Sequence, residues 1–358
     1  MRVEFTEGEE ALTELILFSD RVYSYRSARW PASIELQLPL LTGQSADCED
    51  RTFKPLLVRD RGEIVARAVA VIDDRYNRHW NERLGHIIMF EALPNTREAV
   101  KLLMDTACDW LKSKGTEAAR AGFGLGLLDT PFVIDEYESL PPAFVRQNPA
   151  YYHYLLKDAG FESEHGWVDY KIKVTPELTE RYKSALEATR RSGYEILPAA
   201  AIPERQRARE FNDVLNDAFR DHWGFPPFID AQWAELFDHF AQFGILDTSV
   251  LAYQGSDPIG MLVVIPDLTA GAVTSSLRTI QDSEKLNTLG IGVRSAQRGK
   301  GVNLGMASYA LLELIRWGAT WLSYTMVLDD NWPSRRTGEK LGAKVCANYL
   351  VYRRNFRS

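Results

Sequence analysis

The sequence predicts an α+β protein built from two copies of one domain. Strand-like and helix-like segments recur in the same strand–helix–strand–helix–strand order in both halves of the 358 residues. The halves also echo each other in sequence, because NPAYYHYLLKDAGFE begins at Asn148 and NWPSRRTGEKLGAKV begins at Asn331. Each segment leads to a glycine, Gly160 or Gly342, that can end a helix in the left-handed conformation. We therefore expect one fold used twice.

Five elements are predicted in the first half, in chain order: strands at 64–72 and 85–90, a helix at 95–115, a helix at 148–159 and a strand at 167–174. Asn95 is expected to cap the long helix, because Glu98 follows in the spacing of a capping box. Residues 122–147 form an extra stretch, rich in Gly and Pro, that the second half lacks. So long an irregular insertion predicts a functional or a flexible loop.

The second half is predicted to hold helices at 204–221 and 230–243, strands at 247–253, 258–266 and 289–293, a helix at 302–317, a strand at 321–328, a helix at 333–341 and a strand at 347–353. A charged helix gives way to LPAAAIP between residues 192 and 203. We therefore divide the chain into a domain at 1–195 and a domain at 196–358, each of ordinary domain size.

The composition narrows the class of partner. A net charge of −7, from 42 Lys and Arg against 49 Asp and Glu, disfavours nucleic acid, because polyanion-binding proteins are basic. The three cysteines, Cys48, Cys108 and Cys346, are too few and too widely spaced for a disulfide scaffold or a cysteine zinc site. The histidines form no HExxH or HxH pair, so we expect no metal.

The sequence also predicts a cytoplasmic protein without a membrane partner. The segment MRVEFTEGEEALTEL carries charges where a signal peptide needs an apolar core. No stretch approaches the ~18 apolar residues of a transmembrane helix.

The strongest local motif is a glycine-rich turn between a predicted strand and a predicted helix. Its candidate anion-binding residues are Val293, Arg298, Gly299, Lys300, Gly301, Val302 and Asn303. Glycines let the backbone turn tightly, and the free N–H groups and dipole of the following helix favour phosphate oxygens. The alternative is a plain turn with solvated basic side chains. A Walker A loop is excluded because Lys300 is followed by Gly301 and not by Ser or Thr.

This turn resembles the pyrophosphate loop of the GNAT superfamily of acyl-CoA-dependent N-acyltransferases. Arg298, Gly301 and Asn303 match the loop pattern, and Asn331 and the Leu-Gly-Ala ending at residue 343 match the family's next motif. The resemblance covers residues 196–353 well and the first half weakly. It implies two tandem GNAT-like domains, each a mixed, mostly antiparallel sheet flanked by helices. It also implies that the strand at 321–328 splays from its neighbour to admit an acyl-CoA.

The implied activity is transfer of an acyl group, most simply from acetyl-CoA, to a small-molecule amine or a peptide. Asn331 and Ser334 are further candidates for contact with the donor, although Ser334 is also placed to cap the short helix. Asn303 replaces a Gly or Ala of the family, and we expect its side chain to crowd the loop. The tandem layout is similar to that of a bacterial group of two-domain GNAT proteins.

The usual catalytic pair of the family is missing. Gly338 stands where many members place a Tyr that protonates the leaving thiolate, and residues 287–293 contain no carboxylate to act as a base. Tyr324, Tyr349 and Tyr352 are substitute candidates, with aromatic packing on the sheet as the alternative.

The first half lacks the phosphate loop. At the corresponding junction it reads FEALPNTR from Phe90, and Pro94 removes an N–H group that a phosphate would need. We therefore expect that this half does not bind acyl-CoA conventionally, and that it shapes the acceptor site or supports the fold.

Two other functions stay open. One is a non-catalytic acyl-CoA-binding or regulatory module on the same fold. The other is a Fem-type aminoacyltransferase, which shares the doubled fold but uses aminoacyl-tRNA. The aromatic segment WGFPPF from Trp223 is expected either to recognise an acceptor or to fill a hydrophobic gap.

Overall fold

A computed structural model describes residues 1–126, 129–280 and 288–356, with only the backbone of Thr288 and Leu289. The elements up to residue 191 are β1 (Arg2–Phe5), α1 (Glu9–Val22), β2 (Ala28–Arg29), α2 (Ile34–Thr42), β3 (Arg51–Asp60), β4 (Glu63–Asp73), α3 (Asp74–Trp80), β5 (Leu84–Ala92), α4 (Arg97–Ser113), β6 (Ala118–Ala121), β7 (Phe132–Val133), α5 (Tyr152–Asp158), β8 (Glu162–Lys173) and α6 (Pro176–Arg191).

The elements that follow are β9 (Glu195–Pro198), α7 (Glu204–Ala218), α8 (Asp230–Phe240), α9 (Ile245–Thr248), β10 (Val250–Gln254), β11 (Asp257–Ile265), β12 (Val273–Thr274), β13 (Thr288–Val293), α10 (Val302–Arg316), β14 (Trp321–Leu328), α11 (Trp332–Lys340) and β15 (Lys344–Asn355). Short 3₁₀ turns join several of them.

Within the described residues the strands form a nine-stranded sheet, a four-stranded sheet and a two-stranded ribbon. The large sheet has the order β1-β3-β4-β5-β6-β15-β8-β14, with β7 also paired to β15. The smaller sheet has the order β13-β11-β10-β9, and β2 pairs with β12. Neighbouring strands are antiparallel, except that β5 and β6 are parallel. Mixed sheets flanked by helices confirm the predicted α+β class.

The two halves exchange strands at the centre of the large sheet. β15, from the end of the chain, lies between β6 and β8 of the first half. Arg353 on β15 is opposite Arg120 on β6, and Tyr349 is opposite Trp167 on β8. β14 then pairs with the other edge of β8. Residues on both sides of the predicted division at 195/196 therefore share one sheet, and that division stays a prediction.

The helices α6 and α10 pack against each other in the core beneath the second half. Tyr182 and Leu186 of α6 share this core with Met306 and Leu311 of α10. The helices approach closely at Gly305, where a Cβ atom would lie 2.3 Å from Oγ1 of Thr189. A glycine is required there by space, and α6 thereby becomes part of the support for the second half.

Several sequence-based boundaries are wrong. The predicted cap of α4 fails because Asn95 adopts a left-handed conformation with φ 62° and Thr96 is the N-cap residue. The helix predicted at 148–159 begins only at Tyr152, and the strand predicted at 247–253 begins at Val250, after the short helix α9. The sequence prediction missed α2 and β3, which contain Pro39 and Pro55, residues that usually argue against regular structure.

None of the helices in the described parts of the chain is long and apolar enough to cross a membrane. The expectation of a cytoplasmic location stays a prediction.

Candidate functional site

Two strands of the second half lie side by side without a hydrogen-bonded ladder. β13 ends the four-stranded sheet and β14 ends the nine-stranded sheet, and the two are neighbours in space. No strand pairing joins them in the described ranges. Each therefore presents one row of backbone N–H and C=O groups that an extended ligand can use. This gap agrees with the splay that the resemblance implied for residues 321–328.

The gap leads to the N-terminus of α10. β13 ends at Val293, a 3₁₀ turn follows at Ser295–Gln297, and Gly301 is the N-cap residue of the helix with φ 82°. Gly299 is also left-handed, with φ 79°. A Cβ atom at either glycine would meet open space, so backbone conformation and not crowding requires glycine here. The free amides and dipole of α10 favour negative charge at this turn, and its anion-binding role stays a prediction.

The two basic side chains of the turn differ in their partners. Arg298 donates from Nη2 to the carbonyl of Ala218 at 2.6 Å and from Nε to the carbonyl of Val293 at 3.3 Å, which ties the turn to the end of α7. Lys300 donates to Oε1 of Gln297 at 2.8 Å. Both side chains are exposed, and neither forms an ion pair among the described residues. They supply positive charge beside the helix N-terminus.

The next two predicted residues take different positions. Val302 is 1% exposed and packs in the core, so only its backbone N–H can face an anion. Asn303 donates from Nδ2 to Oγ1 of Thr337 at 2.9 Å. Its side chain is thus tied to α11, and the expected crowding of the turn by Asn303 stays a prediction.

Asn331 and Ser334 are joined at the start of α11. Asn331 is the N-cap residue, and its side-chain oxygen accepts a hydrogen bond from the backbone N–H of Ser334 at 3.3 Å. The capping role considered for Ser334 therefore belongs to Asn331. The hydroxyl of Ser334 lies 2.7 Å from that of Tyr324 on β14.

Tyr324 occupies the space beside the glycine that replaces the family's Tyr. A Cβ atom on Gly338 would lie 3.3 Å from Cδ1 of Tyr324. Tyr324 is 2% exposed, and burial raises its pKa to about 12, so the phenol stays protonated at neutral pH. It keeps a proton to donate, and its hydroxyl is hydrogen-bonded to that of Ser334.

The other two tyrosine candidates lie on β15 in different surroundings. Tyr352 is buried in the core of the first half, and its hydroxyl lies 2.6 Å from Nδ1 of His153. That position is on the strand edge shared with β6 and not beside β14. Tyr349 donates to Oδ2 of Asp169 at 2.9 Å. The structure therefore separates the three candidates.

Asp169 on β8 is a buried carboxylate that the sequence analysis missed. It is 2% exposed, and its Oδ1 accepts a hydrogen bond from the backbone N–H of Met326 at 2.6 Å. Met326 lies in a bulge of β14 with φ 55°. Burial raises the pKa of Asp169 to about 6, with the bonds from Met326 and Tyr349 opposing the rise. The sequence contains a clue to this buried carboxylate, because Asp169 interrupts an otherwise apolar and aromatic run, WVDY.

The insertion at 122–147 covers this face of the sheet. Its strand β7 pairs with β15, and Ile134 donates its N–H to the carbonyl of Asn348 at 2.9 Å. Between the described part of the insertion and strands β8, β14 and β15 lies a narrow cleft of about 30 Å³ whose lining includes Asp169 and Tyr349. The insertion is thus the wall of a cleft.

The raised pKa of Asp169 predicts a stability effect. The folded protein binds more protons than the unfolded chain between the two pKa values, so the free energy of unfolding falls as pH rises from 4 to 6. Asp169→Asn is expected to raise the free energy of unfolding at pH 8 by up to ~3 kcal/mol, with the gain shrinking toward pH 4. Urea denaturation across this range measures it, and Asp105→Asn, at a half-buried site on α4, is the control. A gain that does not depend on pH would contradict it.

In the first half, the corresponding gap is filled by the chain itself. β5 pairs with β6 only from Leu84 to Ile87 and then continues to Ala92. Arg146 of the insertion donates to the carbonyl of Phe90 at 3.4 Å, and the Phe90 and Phe132 rings lie 6.5 Å apart. This arrangement supports the prediction that the first half does not bind acyl-CoA conventionally.

A buried carboxylate remains on this strand. Glu91 accepts hydrogen bonds from Tyr23 at 2.7 Å and Tyr152 at 2.6 Å, and the Tyr23 hydroxyl also lies 2.5 Å from the carbonyl of Gln147. Burial raises the pKa of Glu91, with Arg67 and Arg146 opposing the rise. These groups are mutually satisfied and enclosed, so they hold the insertion in place.

The aromatic segment at 223–228 fills a gap between the halves. Trp223 stacks on Phe123 with ring centroids 6.1 Å apart, and the guanidinium of Arg120 lies 4.5 Å from the Trp223 ring. Trp80 donates from Nε1 to the carbonyl of Phe225 at 2.9 Å. The segment therefore fills a hydrophobic gap between the two halves. This is one of the two roles that the sequence analysis expected for it.

One group of side chains has the composition of a metal site. His165 lies 3.8 Å from Asp329 and 3.7 Å from Asp330 at the end of β14. Both carboxylates are exposed, and these distances are those of an ordinary ion pair. The expectation of no metal stays a prediction.

Comparisons with known proteins agree with this architecture. No protein-family profile matches the sequence. A tandem GNAT protein from the clavulanic acid biosynthesis pathway superposes with a TM-score of 0.61 at 11% identity, covering 100% of both chains. A GCN5-related N-acetyltransferase from Sphaerobacter thermophilus gives 0.55 at 12% identity, covering 100% of this chain and 96% of that one. The chain therefore has the tandem GNAT fold, and the predicted fold is confirmed.

Two curated relatives are similar in sequence over part of the chain. Protein YghO of Escherichia coli (strain K12) is 21% identical over 232 residues, which is 64% of this chain and 58% of that protein. A bacterial ceramide synthase of Caulobacter vibrioides (strain NA1000 / CB15N) is 23% identical over 211 residues, or 58% of this chain and 54% of that protein. The matches span a little over half the length of these relatives.

Proposed function

We propose that this protein is an acyl-CoA-dependent N-acyltransferase, most simply using acetyl-CoA, with one donor site in the second half. The observation that carries the proposal is the unpaired gap between β13 and β14, which leads directly to the glycine turn at the N-terminus of α10. The tandem GNAT fold supports the same reaction class.

The donor is expected to bind along this gap in two parts. Its pyrophosphate would face the amides after Gly299, with Lys300 and Arg298 adding positive charge. Its pantetheine amides would pair with the free edges of β13 and β14 in the manner of an added strand. Binding in this way places the thioester between two rigid strands, which supplies orientation for attack by an amine.

The proton chemistry follows from groups near the gap. The hydroxyls of Tyr324 on β14 and Ser334 on α11 lie 2.7 Å apart, and Tyr324 is protonated at neutral pH. We propose this pair as the proton source for the departing thiolate, because Gly338 stands where the family has its Tyr.

Calorimetric titration with acetyl-CoA and with CoA tests donor binding, and release of free thiol in the presence of an amine panel tests turnover. The expected result is one binding site per chain and amine-dependent thiol release. Binding without any amine-dependent release would favour the non-catalytic module. An absence of binding up to millimolar ligand would contradict the proposal.

A further inference from the structure

β14 contains a β-bulge at the point where it faces β8. The register of the two strands shifts between Tyr324 and Val327, so Thr325 and Met326 of β14 stand opposite one residue of β8, Asp169. Tyr324 and Val327 consequently face the same core, although three positions separate them. Because a bulge bends its strand and increases the local twist, β14 is irregular in its middle.

The bulge contains a residue in an unfavourable backbone conformation. Met326 has φ 55°, in the left-handed region that residues other than glycine rarely adopt. Its N–H group donates to Oδ1 of Asp169 at 2.6 Å. Oδ2 of the same carboxylate accepts a hydrogen bond from Tyr349 at 2.9 Å, and Asp169 is 2% exposed. A buried carboxylate, fixed from two sides, thus offsets the cost of the left-handed residue.

The strand on the other side of the gap has no matching bulge. β13 pairs with β11 over Thr288–Val293 without a register shift. Two strands form a continuous ladder only where their N–H and C=O groups repeat with the same spacing and the strands twist together. A bulged β14 beside a regular β13 does not meet this condition, and no ladder joins the two strands in the described ranges. The bulge at Met326 therefore gives a physical reason for the gap.

We propose that Asp169 is a positioning residue of the donor site: its carboxylate holds Met326 in the bulge, and the bulge keeps β14 from closing onto β13. This inference rests on the proposed function, because the gap is the proposed site of the acyl-CoA. Asp169 acts through the backbone of β14 and not by contact with the donor. A side chain of the first half thereby sets the shape of a site in the second half.

The charge on Asp169 changes within an accessible range of pH. Burial raises its pKa to about 6, and the hydrogen bonds from Met326 and Tyr349 and the charge of Lys171 oppose the rise. An N–H group binds an ionised carboxylate more strongly than a neutral carboxyl group. The hold on Met326 is therefore present above pH 6 and weakens as the pH falls through this value.

Other titratable groups surround the narrow cleft beside Asp169. The charged side chains of its described lining are those of Arg26, Glu136, Arg146 and Lys171. Burial raises the pKa values of three neutral groups at the cleft, Tyr137, Cys346 and Tyr349. All of these groups remain in a variant of Asp169. A comparison of that variant with the wild type at the same pH therefore isolates the titration of Asp169.

Asp169→Asn tests the role of the charge, because it keeps the shape of the side chain. In calorimetric titrations with CoA, its Kd is expected to be ~5- to 10-fold above that of the wild type at pH 8, since a charged hydrogen bond is stronger than a neutral one. This ratio is expected to fall toward 1 at pH 5. The same variant is expected to be more stable than the wild type at pH 8, so a loss of folding does not account for weaker binding. Asp105→Asn, at a half-buried site on α4, is the control and is expected to keep a ratio near 1 throughout.

Glycine at residue 326 tests whether the carboxylate acts through the bulge. Met326→Gly removes the cost of the left-handed conformation, so the bulge no longer depends on Asp169. Asp169→Ala alone is expected to raise the Kd for CoA ~10-fold or more at pH 8, and less than ~3-fold when Met326→Gly is present. Met89, half-buried on β5 with φ 52°, provides the matched control. Met89→Gly is expected to leave the effect of Asp169→Ala unchanged.

Two results would overturn this inference. One is a Kd ratio of Asp169→Asn to wild type that does not depend on pH. The other is an equal loss of CoA affinity on Asp169→Ala with and without Met326→Gly. If Asp169→Ala does not fold, the pH series decides. A wild-type protein that does not bind CoA would instead count against the proposed function.

Discussion

Gly301→Glu is expected to abolish acetyl-CoA binding while the protein stays folded. Gly301 caps α10 with φ 82°, and the side chain there would project into open space where the amides of the turn face a ligand. A carboxylate placed ~4 Å from a phosphate costs ~1–4 kcal/mol by charge repulsion, and it competes with the phosphate for the helix N-terminus. We expect the Kd to rise at least ~100-fold by calorimetric titration.

The control separates backbone strain from charge at the site. Gly62 has φ 92° in the turn between β3 and β4, and a Cβ atom there also meets open space. Gly62→Glu therefore carries the same left-handed penalty of ~1–2 kcal/mol at a distant position. It is expected to bind acetyl-CoA as the wild type does. Equal affinities of the two variants would remove the turn at Gly301 from the donor site.

Removal of β15 is expected to abolish folding of both halves. The strand carries Tyr349 and Val351 into the cluster that also holds Trp167, and Tyr352 into the first-half core. A chain ending at Gly342 would expose the facing edges of β6 and β8 and leave both cores open. We expect loss of a cooperative thermal transition and rapid proteolysis throughout the chain.

A chain ending at Phe356 is the control, because it keeps the whole strand. It is expected to melt as the full-length protein does. A truncated chain that still shows a cooperative transition and a protected first half would mean that β6 and β8 do not need the strand from the second half.

The local parts of the fold could be predicted from sequence because their signals are local. Residues 321–328 were predicted as a strand with the bounds that β14 has, since glycine and Asp–Asn segments bracket an apolar run. The turn at Gly299 and Gly301 was found for the same reason. In both places a few adjacent residues determine the backbone conformation.

The strand exchange could not be predicted in this way. β15 pairs with β6 and β8 across more than 150 residues of chain, and no local pattern says which edge a strand will join. The same limit concealed the cleft, because its wall and floor come from separate segments. Asp169 could not be predicted because the family resemblance places a carboxylate within residues 287–293, whereas strand exchange brings a first-half carboxylate beside β14.

The cap of α4 shows a different kind of error. The Asn95–Glu98 spacing fits a capping box, but Asn also tolerates the left-handed conformation, and the chain uses it for that purpose here. Asn can serve as an N-cap residue or adopt the left-handed conformation, and the sequence alone does not show which of the two occurs at residue 95.

We propose a single donor site in the second half, between β13 and β14. A crystal structure of the protein with CoA is the decisive test of this site. We expect the pyrophosphate on the amides of residues 299–303 and the pantetheine between the two strands, with the first-half gap still filled by Arg146 and Phe132. CoA bound between β5 and β6 of the first half, or bound away from the turn at Gly301, would contradict it.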